Sequence, residues 1–245
     1  MQERGVAAYI AEFVGTFILV FAITAAVSGA LTPGAGPAGL TVVALVHGFA
    51  LFLLIQTLAV ASGAHFNPAV TVALTAMRQI KPSDAAIYIL VQVLGAIAAA
   101  LVVKLLFGSG GNADAVHYGA PADSDVLHGS TGRGMLGEFI GTFFLLFAIV
   151  GVAVNPKGDK TWAALVIGLT LALGVLLFGG LTGASLNPAR GFGPALVSGE
   201  FDGFGKFLLV YVVAPILGAL AAAVTYFNVF MAPGKREPGG IEPVG

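Results

Sequence analysis

The chain has no cysteine, which excludes disulfides, thiolate metal sites and cysteine nucleophiles while leaving the redox compartment open. Charge is almost as scarce. Asp, Glu, Lys and Arg make up 9% of the 245 residues and apolar residues 58%, whereas a soluble domain holds roughly 25% charged and 45–50% apolar residues. Mean hydropathy is +0.97. This composition belongs to an integral membrane protein. Between Glu12 and Arg78 there is no Asp, Glu, Lys or Arg at all, so that stretch holds more than one crossing of about 20 residues. A net charge of −1 offers no basic surface for nucleic acid. Signatures of hydrolytic chemistry are also missing: the sequence contains neither H-E-x-x-H nor G-x-S-x-G. No enzymatic activity, metal site or cofactor is expected.

Apolar runs separated by turn residues predict an all-α membrane protein with six spans, at 7–31, 40–61, 84–107, 134–155, 161–180 and 205–231. The N-terminus, "MQERGVAAYIAEF", runs into the first span without a small-residue cleavage site and reads as retained. If both termini are cytoplasmic, Arg4, Arg78, Lys81, Lys157, Lys160, Lys235 and Arg236 lie inside, against Lys104, Arg133 and Lys206 outside. That asymmetry is the positive-inside bias, and a cell-membrane location is expected. Residues 108–133 read as an external connecting loop with His117 and His128 exposed to solvent, and 232–245 as a disordered cytoplasmic tail.

The two halves repeat. "AEFVGTFILVFAI" (11–23) returns as "GEFIGTFFLLFAI" (137–149), and "VLGAIAAA" (93–100) as "ILGALAAA" (216–223). Between them, in the same order, "SGAHFNPAV" (62–70) returns as "TGASLNPAR" (182–190). Residues 1–107 and 134–231 are therefore two copies of a three-span unit. An odd number of spans makes the second copy enter the membrane from the opposite face, an inverted repeat. Asn is a good N-cap and Pro suits the first helical position, so Asn67-Pro68-Ala69 and Asn187-Pro188-Ala189 each predict a helix start, over 67–78 and 187–198. Ten helical residues span about 15 Å, half of a roughly 30 Å hydrocarbon core. Two such half-helices entering from opposite faces would meet at the centre, with carbonyls of the incoming segments lining a wet path and positive dipole ends at its middle.

With two Asn-Pro-Ala motifs, the second followed by Arg190, residues 7–231 resemble the aquaporin and glycerol-facilitator family of membrane channels. The resemblance implies a passive channel for water that excludes protons and ions, with ammonia, urea or glycerol as further solutes. It also implies a homotetramer with one pore per subunit. The family's four narrowest positions fall here on His47, Val175, Ala184 and Arg190. This set differs from those usual in strict water channels and in glycerol facilitators, and is similar to plant vacuolar-type members. Gly191 and Ala195 stand where glycerol facilitators carry an acidic and a basic residue, which favours the water-channel branch, as does Tyr211. Val212, in place of a usual Trp, does not.

Glu12 and Glu138 occupy matching repeat positions and are expected to accept hydrogen bonds from re-entrant backbone donors. His65 is expected to orient its loop. The rival readings are a glycerol-facilitator-type solute channel and an ion-coupled secondary transporter, for which the two glutamates are the available titratable groups.

Overall fold

Within hydrocarbon a helix satisfies its own backbone donors and acceptors, so apolar runs of this length fold as helices. The computed structural model describes residues 5–31 and 36–231; Arg4, Lys235, Arg236 and the expected tail at 232–245 lie outside the described residues. Six long helices are present among them: α1 Val6–Ala30, α2 Gly36–Ser62, α4 Pro82–Phe107, α5 Thr131–Val154, α6 Ala163–Thr182 and α8 Phe204–Met231. Two short ones, α3 Pro68–Ala76 and α7 Pro188–Ser198, follow α2 and α6.

Local chemistry sets where these helices start and stop. α4 begins at Pro82, two residues before the expected 84, because proline's fixed φ suits the first turn and its missing N–H costs nothing there. α6 begins at Ala163, after 161, because the preceding segment is folded back: Lys160 Nζ donates to Ala153 O (2.7 Å) and Asn155 O (2.8 Å) at the end of α5. That ammonium sits on carbonyls left over by the π-helical turn Val150–Val154. α3 stops at Ala76, short of 78. Arg78 takes φ +59°, and its N–H turns back to Thr75 O at 2.9 Å.

Packing follows the duplication. α1 lies against α2 and α4, and α5 against α6 and α8. The two units are joined by α2 on α6, and each half-helix docks on the long helix that closes the other unit, α3 on α8 and α7 on α4. Close approach depends on matched small residues. A Cβ on Gly95 would collide with Phe13 O, and one on Gly218 with Phe139 O. Gly15 makes room for the Phe66 ring, and its counterpart Gly141 for the Leu186 side chain. The glycines thus seat the residue that precedes each Asn-Pro-Ala motif.

Candidate functional site

Each re-entrant segment leaves its long helix through a left-handed turn. Gly63 and Gly183 have φ +87° and +75°, a region open to glycine. The next residues continue against L-chirality: Ala64 (+53°), Phe66 (+47°), Ala184 (+42°) and Leu186 (+50°), each at a cost of order 1–3 kcal/mol. Such a path leaves amides without helical partners, and the two glutamates take them. Glu12 Oε1 accepts from Ser62 Oγ (2.7 Å) and His65 N (2.9 Å), and its Oε2 from Phe66 N (2.7 Å) and Gln92 Nε2 (2.8 Å). Glu138 Oε1 accepts from Thr182 Oγ1 (2.7 Å) and Ser185 N (2.8 Å), and its Oε2 from Leu186 N (2.7 Å). Both carboxylates are fully buried. Hydrogen bonds to a charged acceptor are about twice as strong as neutral ones, which offsets the strained backbone.

The half-helices then start on their asparagines. Asn67 Oδ1 accepts from Ala69 N (2.9 Å); Asn187 Oδ1 accepts from Ala189 N (3.0 Å) and Arg190 N (3.3 Å). The two starts are tied to each other reciprocally. Asn67 Nδ2 donates to Leu186 O and Asn187 Nδ2 to Phe66 O, both at 2.8 Å. An amide nitrogen carries two hydrogens, so each asparagine holds the opposite loop with one and retains the other. Both side chains line a cavity of about 340 Å³ that also includes His47, His65 and Arg190 and reaches Lys160 at one end.

His47 Nδ1 lies 2.8 Å from Val43 O. A carbonyl can only accept, so Nδ1 carries the proton and Nε2 of the neutral ring is an acceptor. That Nε2 is buried without a protein partner, as are Arg190 Nε and Nη1. Around His47 and Arg190 the cavity therefore presents two donor nitrogens and an acceptor that no protein group engages. Arg190 also lines a second, outer cavity of about 230 Å³ together with Val175, Gly183 and Pro121. Of the four expected filter residues, His47 and Arg190 face the inner cavity and Val175 and Arg190 the outer one, whereas Ala184 is fully buried and lines neither. His65 Nδ1 lies 3.1 Å from Thr71 Oγ1, and its ring packs edge-on against Tyr88. Among the described residues no cluster of His, Asp and Glu is suited to a metal ion.

Three features go beyond the sequence reading. His117 is exposed, as expected, and it also borders the outer cavity. Tyr88 OH donates to Ser62 O (2.8 Å) and its counterpart Tyr211 OH to Thr182 O (3.0 Å), closing the ends of α2 and α6; their equal place in the two units was the available signal. The third is a break in the symmetry. Where the first unit has Thr71 and Gln92, the second has Gly191 and Pro215, and the space at Gly191 is bordered by Pro121 of the segment that connects the two units.

The comparisons with known proteins agree with this geometry. Residues 2–226 match the family model described as major intrinsic protein. The chain is 40% identical over 184 residues to Nodulin-26 of Glycine max, a match covering 75% of this chain but 64%, less than two thirds, of that protein. It is 38% identical over 202 residues to Aquaporin TIP2-1 of Arabidopsis thaliana, covering 82% of this chain and 76% of the relative. The X-ray structure of the aquaglyceroporin from Plasmodium falciparum superposes with a TM-score of 0.77 at 26% identity, over 93% of this chain and 97% of that one. The chain belongs to the major intrinsic protein family, the aquaporins.

Proposed function

We propose that the protein is a passive channel that conducts water and other small neutral solutes while excluding protons and ions. The reciprocal Asn67–Asn187 arrangement carries this reading. A water at that point accepts from the retained amide hydrogens of both asparagines. Its own hydrogens then point away, towards its neighbours on either side, so it cannot accept a proton from the file. The N-termini of α3 and α7 add positive partial charge at the same place, and Arg190 adds a full charge beyond it. A secondary transporter needs titratable groups poised for coupling. Glu12 and Glu138 are instead committed to loop donors, which favours the channel.

His47, Val175, Ala184 and Arg190 form the filter in this reading, and the quartet's likeness to plant vacuolar members supports a water-channel branch. Ala184 contributes by its small size, Val175 by an apolar wall where a histidine would add a donor. Both termini are cytoplasmic, in the cell membrane, and the family resemblance supports a homotetramer.

Stopped-flow shrinkage of proteoliposomes, with parallel uptake of glycerol, urea and ammonia, tests the reading. Water permeation well above protein-free vesicles is expected, with the other solutes also passing. In Val175→His the glycerol and urea rates should fall about tenfold, corresponding to roughly 1.4 kcal/mol, while water changes little. If only water passes in both forms, the wide filter is wrong. With no thiol in the chain, water flux should also survive mercurials unchanged; block by a thiol reagent would contradict this.

A further inference from the structure

One wall of the outer cavity is held by buried and half-buried charged side chains. Residues 120–122 form that wall and pack directly on the second re-entrant segment: a Cβ on Gly183 would come within 3.0 Å of Pro121 Cα and 3.3 Å of Ala122 N. On the other side, Pro121 Cγ lies 3.5 Å from where a Cβ of Gly191 would stand. The loop thus packs on Gly183 and Gly191, before and after Arg190 in the chain, and lines the outer cavity together with Arg190 and Val175.

Asp123, the next residue, holds it there. Its side chain is 2% exposed and faces Lys206 Nζ at 3.0 Å. Tyr211 OH, whose single hydrogen goes to Thr182 O at 3.0 Å, lies 3.4 Å from its Oδ1. Lys206 is shared with Asp202 at 2.7 Å, and Asp202 Oδ2 in turn accepts from Asp123 N at 3.4 Å. Gly134, at the start of α5, gives the carboxylate its space, because a Cβ there would lie 2.8 Å from both oxygens. Ser124 N adds a bond to Leu181 O (2.8 Å) at the end of α6. A buried carboxylate with a single cation beside it is costly to bury and costly to break, so the contact fixes position more than it adds stability.

We infer that Asp123, clasped by Lys206 and Asp202 at the start of α8, is a positioning residue for solute selectivity that pins residues 120–122 against Gly183 and Gly191. It touches no solute itself. It acts through the loop, and Tyr211 joins it to the Thr182–Glu138 bonds that shape the segment leading to Asn187. This inference rests on the channel reading above.

The test reconstitutes Asp123→Asn, Lys206→Gln and the double variant beside wild type and measures water, urea and glycerol permeability. Expected is a rise of at least threefold in the glycerol-to-water and urea-to-water ratios in each single variant, with water itself within twofold. The double variant should match the singles, since all three remove one clasp. Lys206→Arg, which keeps the charge, should restore the wild-type ratio. Unchanged ratios in variants with wild-type elution and melting, or a parallel loss of water and solute flux, would overturn the assignment. Should Asp123→Asn not fold, the Lys206 variants, altered at a partly exposed side chain, decide alone. A wild-type protein with no water flux would instead sink the channel reading, a separate failure.

Discussion

Replacing Glu138 by alanine is expected to leave little or no folded protein in the membrane. The substitution strands Ser185 N and Leu186 N, both in buried residues, and leaves Thr182 Oγ1 only its longer contact with Phe178 O at 3.4 Å. Each buried donor left without an acceptor costs about 1–3 kcal/mol, so the two amides together cost roughly 2–6 kcal/mol, a large share of a typical total stability of about 5–15 kcal/mol. Water reaching the loop through the cavity recovers part of that, but the left-handed Ala184 and Leu186 then lose the contact that offsets their strain. Glu138→Gln keeps the side-chain volume and one acceptor oxygen but turns an amide N–H₂ towards Leu186 N, and should fall between the two. Membrane yield and the melting temperature of the detergent-solubilised protein check this. An alanine variant that melts within a few degrees of wild type would show that the loop is held by packing alone.

The same bookkeeping explains how much of the fold could be read from the sequence. The duplicated "EF-x-GTF" and Asn-Pro-Ala stretches were visible because backbone satisfaction in a membrane leaves few solutions, and each solution needs named residue types in a fixed order. Glu12 and Glu138 could be assigned to loop support for that reason, since a charge with no partner in a span is otherwise unaffordable. What stayed hidden were contacts made across the repeat. That Asn67 and Asn187 each hold the other's loop needs three-dimensional knowledge of how α3 and α7 meet. The place of residues 120–123 was equally illegible: the segment is Ala-, Pro- and Asp-rich, has no periodicity, and is positioned by Lys206 and Gly191, both remote in sequence. Helix ends shifted where a fold-back replaced simple hydropathy, as at Lys160 before α6.

Removing the charge of Arg190 should have its largest effect on what the channel refuses. Arg190 is 3% exposed, lines both cavities, and has Nε and Nη1 without a protein partner, so it faces any solute passing between them. A unit charge about 6 Å from the path, at an effective dielectric constant near 20, raises the energy of a monovalent cation by about 3 kcal/mol. At 1.36 kcal/mol per decade that is on the order of a hundredfold in rate. Arg190→Ala is therefore expected to raise proton and potassium leak by up to about a hundredfold, and urea and glycerol passage by a smaller factor set by the space released. Water should change at most a few-fold, because the asparagine pair and the two helix N-termini remain. Arg190→Lys keeps the charge but replaces a planar set of donors with a rotating one, so it should keep cations out while loosening discrimination among neutral solutes. A pH-sensitive dye and a potassium-loaded gradient in proteoliposomes separate these outcomes. If Arg190→Ala folds, conducts water and still excludes protons as well as wild type, the barrier lies wholly at the meeting point of α3 and α7, and Arg190 acts on neutral solutes alone.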